Sequence, residues 1–459
     1  MNAPTTLDVP PRQAAATAAP ASLTAGLIAL IRQKPITAAD RHEAAMFVLD
    51  TVASAIGGRS TPPGKIVLQW ATRQGACDTA RQAFLIGCVS HMLEMDDLHR
   101  ASVTHPGCVV VPAVLALGAR LAASGHALLD AVLQGYEACC RVGMAVGPAH
   151  YRIFHNTSTC GPFGSAMASA HLLGLDDAQT LHALGNAGTQ AAGFWEFLKT
   201  SAMSKHLHAG RAAEAGVVAA DLALDGFTGP PAILEGEAGL FAGMCPDANP
   251  DALLADPDAP WQMHETSIKP WPSCRHTHPT IDAALALHGS LAGASVASIE
   301  VETYRAAIDV CDRPDPQTEY NAKFSLQHCV AAALTDGVVR FPAFDGDSRQ
   351  RLAGVREKVS VKAGEPFISA YPDAWGARVI VRTADGRKLE VERPACSGDP
   401  DQKLSESRLL EKADELFRLG GLSGAEALRL RNTILGLTDD RALEQSLVAA
   451  ITTPMPDNR

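Results

Sequence analysis

Between residue 23 and about residue 260, the chain is a succession of helical segments separated by Gly and Pro. In LTAGLIALIRQK and AADRHEAAMFVLDTVASAIGG, apolar residues recur at spacings of three and four, the period of one helix face. The second segment stops at Gly57 and Gly58, a typical helix end. Several later segments, such as FGSAMASAHLLGL, are apolar on nearly every face and must be buried. This pattern predicts a large all-helical body.

The pattern changes near residue 295. ASIEVETY, KVSVKAG and ARVIVRTADGRKLEVER alternate or cluster β-branched residues, and Ala-Asp-Gly at 384–386 is a hairpin signal between two such runs. A helical pattern returns from Ser405 onward. We therefore predict a mainly α protein with a large all-helical domain and a smaller α+β lid domain. The predicted ranges are 1–22 for a disordered tail, 23–266 and 405–459 for the all-helical domain, and 267–404 for the lid.

Composition limits the class of partner. With 47% hydrophobic residues, 19% charged residues and a net charge of −11, the chain has no electrostatic preference for nucleic acid or anionic membrane. No apolar run reaches the roughly 18 residues that span a bilayer, and the N-terminus lacks the pattern of a secretory signal. The eleven cysteines lack CxxC spacing, which is typical of reduced thiols. We expect a cytoplasmic protein that acts on a small molecule.

A first polar cluster, HMLEMDDLHRASVTHPG, comes just before an apolar helix that Pro106 is suited to start. Its polar side chains are His91, Glu94, Asp96, Asp97, His99, Arg100, Thr104 and His105. Helix N-termini attract anions, so this junction is a candidate carboxylate site. A solvated loop is the alternative.

Two further clusters precede helices rich in small residues. FHNTSTCGPFGSAMASA places His155 and three hydroxyls ahead of a helix, where the hydroxyls would otherwise serve as caps. In SAMSKHLHAGRAAEAG, Lys205 and His208 lie three residues apart and share a helix face. They are candidate binding residues or, alternatively, a surface cation pair.

The fourth cluster, KPWPSCRHTH at 269–278, concentrates positive charge in an acidic chain. Its basic residues are Lys269, Arg275, His276 and His278, and its two prolines stiffen the backbone that carries them. The His276-x-His278 spacing would place both rings on one side of a strand, which makes zinc an alternative ligand. Because no HExxH motif or cysteine set accompanies the pair, we predict no metal.

These clusters, in this order, resemble the blocks of the MmgE/PrpD family, which includes 2-methylcitrate dehydratases, cis-aconitate decarboxylases and iminodisuccinate epimerases. The resemblance rests on LDTVASAIGG, HMLEMDDLHRASVTHPG, FHNTSTCGPFGSA, SKHLHAG, KPWPSCRHTH and AKFSLQH. It implies a helical body with a smaller α+β lid, an active site between them, no redox or metal cofactor, and a homodimer.

The resemblance also implies site residues. The catalytic candidates are Glu94, Asp97, His105, His155, Lys205 and Lys269, and the substrate-binding candidates are Thr104, His208, Arg275, His276 and His328. Decarboxylase relatives carry aspartate at the position of Glu94. Relatives end their FSxxY block in tyrosine, and that place here holds His328. Since histidine titrates near pH ~6.5, this exchange predicts a limb near pH ~6 to 7 in the activity profile. The alternative is that His328 is a core residue of the helix formed by AKFSLQHCVAAAL, with its ring bonded to backbone or water.

A cationic cluster suits di- and tricarboxylates, because preorganised cations stabilise the charge that builds up next to a carboxylate. We expect a cofactor-independent lyase that dehydrates a hydroxylated di- or tricarboxylate resembling 2-methylcitrate. His105 or His155 would supply the acid, and Lys205 or Lys269 the base if burial lowers the lysine pKa. Decarboxylation of a cis-aconitate-like acid and epimerisation of an iminodisuccinate-like dicarboxylate are alternatives. A protein that only binds a carboxylate ligand is a further alternative.

Overall fold

In the computed structural model of the protein, residues 22–75, 77–200 and 202–454 are described. Apart from Ser22, the predicted disordered tail lies outside these residues. The α-helices of the described residues are α1 (Leu23–Gln33), α2 (Ala38–Gly58), α3 (Pro62–Arg73), α4 (Thr79–Ser90), α5 (Gly107–Leu121), α6 (Gly125–Ala145), α7 (Pro148–Tyr151), α8 (Asn156–Leu172), α9 (Asp177–Gly188), α10 (Ser204–Leu224), α11 (Leu240–Met244), α12 (His278–Leu291), α13 (Arg305–Cys311), α14 (Glu319–Lys323), α15 (Leu326–Asp336), α16 (Gly346–Arg351), α17 (Ala353–Arg356), α18 (Phe367–Ala370), α19 (Glu406–Leu419), α20 (Gly424–Leu435) and α21 (Gln445–Thr452). The strands are β1 (Leu98–His99), β2 (Thr266–Ser267), β3 (Val296–Thr303), β4 (Val359–Ala363), β5 (Ala377–Thr383) and β6 (Lys388–Arg393).

Helix α8 is the centre of the helical body and packs against α5, α6, α9 and α10. Residues 156–170 of α8 are all buried, as its small residues on every face predict. A Cβ atom built at Gly164 would lie 2.7 Å from the Cβ of Cys139 in α6, so the two helices touch closely. This packing fixes the N-terminal end of α8, where His155 lies at the cap position.

A four-stranded sheet has the order β4-β3-β5-β6. Strands β3 and β4 are parallel, and the other neighbours are antiparallel. The predicted hairpin joins β5 to β6, and Gly386 in its turn has φ +88°, a conformation that favours glycine. Helices α12 and α15 pack on each other and against the sheet.

The described residues contain two main hydrophobic cores. The smaller includes Ile281, Val301 and Val379 and joins the sheet to α12 and α15. The larger includes residues of the first helices together with Phe417 and Ile451 of the C-terminal helices. Helix α19 packs on α2, and α21 packs on α4 and α5, so the end of the chain returns to the first body. The mainly α fold class is confirmed, and this packing supports the proposed division into residues 23–266 with 405–459, and residues 267–404.

Strands β1 and β2 form a two-stranded ladder in which Leu98 pairs with Ser267 and His99 with Thr266. This ladder joins the first polar cluster to the chain just before the fourth. No helix among the described residues is both long and apolar enough to cross a membrane.

Candidate active site

The first polar cluster is a buried loop between α4 and α5. Residues 91–99 are all buried, which excludes the alternative of a solvated loop. Glu94 has φ +58°, a left-handed conformation that residues other than glycine rarely adopt. The loop thereby directs carboxylates into the protein.

Two lysines that are distant in sequence meet at Glu94. Lys205, in the first turn of α10, donates from Nζ to Oε1 of Glu94 at 2.5 Å. Nζ of Lys269 lies 3.6 Å from Oε2 of Glu94 and 3.9 Å from Oδ1 of Asp96. Burial alone would raise the pKa of Glu94, but the two ammonium groups hold that pKa well below its usual range. Glu94 is therefore ionised.

The same ion pair decides the charge of Lys205. Burial alone would lower the pKa of Lys205, but the adjacent Glu94 carboxylate raises it above its ordinary value. Lys205 therefore stays protonated at neutral pH and is suited to holding a carboxylate. The condition under which Lys205 would be a base, a pKa lowered by burial, is not met, because its counterion is buried with it.

Three imidazole rings lie together beside the lysines. Nδ1 of His91 lies 2.6 Å from Oδ2 of Asp96, and the ring of His155 stacks on that of His91 at 5.7 Å between centroids. The ring of His105 lies 4.8 Å from that of His91, and its Nδ1 is 2.6 Å from the carbonyl oxygen of Asp97. Burial lowers the pKa of all three histidines, that of His91 to about 3. They are neutral at pH 7.

A cavity of about 680 Å³ opens beside these groups, between the helical body and the part that carries the sheet. Seven predicted site residues line it: Glu94, His105, His155, Lys205, Lys269, Arg275 and His276. They come from all four polar clusters. The tertiary structure thus brings to one cavity what the sequence separates by more than a hundred residues.

Asp97 lies behind the cavity wall instead of lining it. Its carboxyl group accepts the backbone N–H of Gly107 at 3.0 Å and the hydroxyl of Tyr136 at 2.8 Å. Burial raises the pKa of Asp97 to about 8. Its contacts tie the polar loop to α5 and α6, so the structure does not support the expected direct role in catalysis.

Thr104 and His208 also lie outside the cavity lining. Oγ1 of Thr104 lies 2.6 Å from Oγ of Ser102, and Nδ1 of His208 lies 3.1 Å from Nδ1 of His155. Thr104 therefore contacts Ser102, and His208 contacts His155, which lines the cavity. Their expected contact with substrate is not supported by these positions.

Arg275 and His276 line the cavity but already have protein partners. The guanidinium of Arg275 is ion-paired with Asp399 and hydrogen-bonded to the thiol of Cys396. Nδ1 of His276 lies 2.7 Å from the hydroxyl of Tyr304, and its ring stacks on Trp375 at 4.5 Å. Of the fourth cluster, Lys269 is the cation that faces the carboxylates.

The His276-x-His278 pair does not lie on a strand as expected. His276 lies in a short 3₁₀ helix and His278 begins α12, with Nε2 3.2 Å from the carbonyl oxygen of Ser273. Among the described residues, two groups bring ligating atoms within 4.8 Å of one another, and neither contains this pair. They are His91 with His105 and His155, and His91 with Asp96 and Cys108. The absence of a metal requirement stays a prediction.

His328 does not take the place of a site tyrosine. It lies in the first turn of α15, fully buried, with Nε2 2.8 Å from the carbonyl oxygen of Ala343 and its ring beside Phe344. It does not line the cavity. Burial lowers its pKa to about 4, so the predicted limb near pH 6 to 7 cannot come from this residue. These positions support the alternative of a core residue, because the motif spacing does not show which way the helix turns its side chains.

A tyrosine nevertheless lies in the cavity, eight residues earlier in the chain. Tyr320, in α14, lines the cavity near Glu94 and Lys205. Its hydroxyl is buried and has no hydrogen-bond partner within the described residues. Burial raises the pKa of Tyr320, so the phenol keeps its proton at neutral pH. Tyr320 is not among the residues predicted from the sequence. The available signal was the segment TEYNAKF, which runs into the family block AKFSLQH.

The sequence analysis also missed the apolar side of the cavity. Its residues are Leu98, Trp195, Leu198, Val310, Phe324 and Trp375. They come from loops and short elements without a periodic pattern, so no local signal marks them as neighbours.

Comparison with known proteins assigns the chain to a family. The family model described as the MmgE/PrpD N-terminal domain matches residues 23–253, and the MmgE/PrpD C-terminal domain matches residues 271–434. The chain is 30% identical to a cis-aconitate decarboxylase of Homo sapiens, over 72% of this chain and 71% of that protein. It is 25% identical to a cis-aconitate decarboxylase of Aspergillus terreus, over 90% of this chain and 93% of that protein. The two domain matches together cover most of the chain, and it belongs to the MmgE/PrpD family.

Proposed function

We propose that this protein is a carboxy-lyase that releases CO₂ from an unsaturated di- or tricarboxylic acid of the cis-aconitate kind. Dehydration of a 2-methylcitrate-like acid was the first expectation from sequence, with decarboxylation as an alternative. The curated relatives, which are named cis-aconitate decarboxylases, favour that alternative. Dehydration and epimerisation remain outcomes that the test below separates.

One observation carries the proposal. Lys205 and Lys269 are buried and meet at Glu94 beside the cavity, and the hydroxyl of Tyr320, which has no hydrogen-bond partner within the described residues, lines the same cavity. Two fixed cations can hold a carboxylate on which negative charge builds up, and a protonated phenol can supply a proton. Such preorganised charges act more strongly in a site that excludes water.

The reaction balances without a further reactant. The bond from the CH₂ carbon to its carboxylate breaks, CO₂ leaves, and the electron pair passes through the double bond toward the retained carboxylate. The phenol of Tyr320 then gives a proton to the carbon next to that carboxylate, which leaves a terminal alkene. Lys205 and Lys269 stabilise the charge on the retained carboxylate, and solvent returns the proton to Tyr320.

The histidines fit a supporting role in this scheme. His105 and His155 are neutral at pH 7, so each can accept or donate a hydrogen bond without adding charge. A neutral histidine could also remove an α-proton, the step that dehydration and epimerisation require. The same site is thus chemically able to serve all three reactions, and the substrate decides among them.

Proton NMR in deuterated water, with CO₂ release followed in parallel, tests the proposal. Incubated with cis-aconitate and related unsaturated acids, the protein should release CO₂ and place one deuterium next to the retained carboxylate. A new alkene signal from a hydroxy acid without CO₂ would establish dehydration, and exchange without net conversion would establish epimerisation. Silence with tight binding would leave a carboxylate-binding protein.

Lys269→Ala is the control for this test. Its rate of CO₂ release should fall at least ~100-fold, because one preorganised charge contact to a developing anion is worth about 3 kcal/mol. Lys199→Ala should keep full activity, because Lys199 is exposed and pairs only with Glu196. A loss below tenfold in Lys269→Ala would contradict the role given to this lysine.

We also propose that the protein works as a homodimer in the cytoplasm. This rests on the family resemblance and on the eleven cysteines, which are all unpaired in the structure. Sedimentation of the purified protein at micromolar concentration should give twice the chain mass. A monomer with full activity would contradict the assembly.

A further inference from the structure

We infer that the substrate is a glutaconate-type unsaturated dicarboxylic acid whose central carbon carries an apolar or aromatic group, where cis-aconitate carries its third carboxylate. This inference rests on the proposed function and names its substrate class. Three observations support it. The cavity has an apolar wall, its buried cations are already paired with carboxylates of the protein, and the central substituent of the substrate takes no part in the reaction.

The cavity is larger and more apolar than a small tricarboxylate requires. Cavities of about 300–1,000 Å³ hold drug-sized ligands, and this one measures about 680 Å³. Its lining includes Trp195, Leu198, Val310, Phe324 and Trp375, and Val310 packs in one hydrophobic cluster with Phe324. Apolar walls next to a carboxylate are unfavourable, whereas the same walls bind an alkyl or aryl group well.

The aromatic rings reach the polar groups of the site. The ring of Trp195 lies 4.6 Å from that of His155, and the ring of Trp375 stacks on His276 at 4.5 Å and 10°. The apolar wall therefore begins directly beside the histidines, with no intervening polar shell. A substrate whose retained carboxylate is held by the lysines therefore has apolar surface within reach of its remaining substituent.

The protein has little positive charge left for a third carboxylate. Inside the cavity, Lys205 and Lys269 face two carboxylates of the protein itself, Glu94 and Asp96. The histidines are neutral. The two lysines can still direct N–H groups to the retained carboxylate of the substrate, because an ammonium group has three donors.

Arg275 is the further buried cation of the wall, and its charge is matched by Asp399. Within the described residues its Nη1 donates to Cys396 and its Nη2 to Asp399, whereas Nε has no partner, so the N–H groups that are left belong to a cation whose charge is already matched. At the exposed rim, Arg152 is accompanied by Asp247 and Asp309, so the rim carries one net negative charge. A third carboxylate would thus lie in the cavity without a free counterion.

The chemistry permits this exchange of substituent. One carboxylate leaves as CO₂ and a second accepts the electron pair, whereas a group on the central carbon takes no part in the electron flow. Replacing that group changes binding without removing a step of the reaction.

The test compares cis-aconitate with (E)-3-methylglutaconate and (Z)-3-phenylglutaconate, in which a methyl or phenyl group takes the place of the central carboxylate and the geometry of the double bond is kept. The three acids share the reacting atoms and differ only at the central carbon. We expect kcat/KM for CO₂ release to rise from cis-aconitate to the methyl and then to the phenyl compound, by about tenfold or more overall. The methyl compound separates the removal of charge from the gain of apolar contact.

Trp195→Ala should remove most of the preference for the phenyl compound and change the rate with the methyl compound little. Phe194→Ala is the matched control, since Phe194 is a 60% exposed aromatic next to Trp195 that does not line the cavity. This variant should behave like the wild type. Equal losses in both variants would overturn the assignment of the wall.

The outcomes separate this inference from the proposed function. Release of CO₂ from cis-aconitate at a rate equal to or above that from the phenyl compound overturns the inference and leaves the decarboxylase intact. If neither acid is turned over, the decarboxylase assignment fails, and calorimetry with the two acids decides the preference alone. Tighter binding of the phenyl compound then supports the inference, and tighter binding of cis-aconitate overturns it.

Discussion

Tyr320 and His328 are eight residues apart, and they lie in different surroundings. The hydroxyl of Tyr320 is unpartnered beside the lysines, whereas the ring of His328 is bonded to a carbonyl oxygen in the core of the lid. The residue that the motif spacing singles out is therefore structural. The residue beside the motif faces the cavity.

Exchanging each residue for an isosteric partner tests this distinction. Tyr320→Phe should lower kcat by at least ~100-fold with an unchanged melting temperature, because general acids contribute about 10²–10⁴-fold. His328→Gln should lower the melting temperature and leave kcat and the pH profile unchanged. Steady-state kinetics and thermal unfolding of both variants check the prediction. A fall in kcat for His328→Gln at normal stability would restore His328 to the site.

Asp97 gives a prediction about stability and pH. Its pKa is about 8 in the folded protein, above the ~3.9 of an unfolded chain, because it is buried. The folded state thus holds a proton that the unfolded state has released, and raising the pH from about 4 to about 8 lowers the free energy of unfolding.

Asparagine cannot ionise, so the Asp97→Asn variant should lack this contribution to the fall in the free energy of unfolding. The melting temperature of the variant minus that of the wild type should be more positive at pH 8 than at pH 5. The buried histidines contribute to the free energy of unfolding with the opposite pH dependence, because their contribution is lost as the pH falls. Both proteins contain these histidines, so comparing the two at each pH cancels that contribution. A difference that is constant with pH would mean that Asp97 is ionised in the folded state.

At the scale of elements, helix α19, one of the C-terminal helices, supports the loop that carries Glu94 and Asp96. Nζ of its Lys412 donates to the carbonyl oxygen of Met95 at 2.7 Å and lies 2.5 Å from Oδ1 of Asp50 in α2. Met95 stands between Glu94 and Asp96, so α19 fixes the loop that carries both carboxylates. Burial lowers the pKa of Lys412 and raises that of Asp50.

Lys412→Met should lower the free energy of unfolding by about 3 kcal/mol, because it leaves Asp50 buried without its partner. It should also lower kcat/KM about tenfold, since a loosened loop misplaces the catalytic charges. The double variant with Asp50→Asn should recover stability more than activity. Lys403→Met, which breaks an exposed pair with Glu43, should change stability by about 0.5 kcal/mol or less. Equal effects of Lys412→Met and Lys403→Met would contradict the support role.

At the scale of the whole molecule, the cavity depends on both parts of the chain. The helical body supplies Glu94, His105, His155 and Lys205, and the region after residue 267 supplies Lys269, Tyr320 and Trp375. Either part alone holds only one of the two lysines that meet at Glu94. The ladder of β1 with β2 sets the distance between the two halves where the lysines meet.

Removal of metals tests the whole site. If the charges of the chain are sufficient, protein treated with EDTA and verified by elemental analysis should keep full activity. Two groups among the described residues could hold an ion such as zinc, the three rings of His91, His105 and His155, and His91 with Asp96 and Cys108, and both include His91. Loss of activity that zinc restores would contradict the prediction, and His91→Gln should then abolish the recovery.

The sequence by itself determined the fold class, the family and most of the polar groups around the cavity. Helix α2 spans Ala38–Gly58 as its pattern predicts, and the hairpin of β5 and β6 turns at Gly386. These features are local, because helix period, caps and turn residues act within a few neighbours along the chain. The four polar clusters are visible for the same reason, as short polar runs beside helical segments.

Only the tertiary structure decided which members of each cluster face the cavity and in which charge state. Asp96 and Asp97 are neighbours, yet one lies near Lys269 and the other is bonded to Gly107, because the loop turns at Glu94 with a left-handed φ. Lys205 stays protonated because Glu94 is folded against it. Side-chain direction and pKa depend on groups brought together from distant parts of the chain, and no local pattern encodes those contacts.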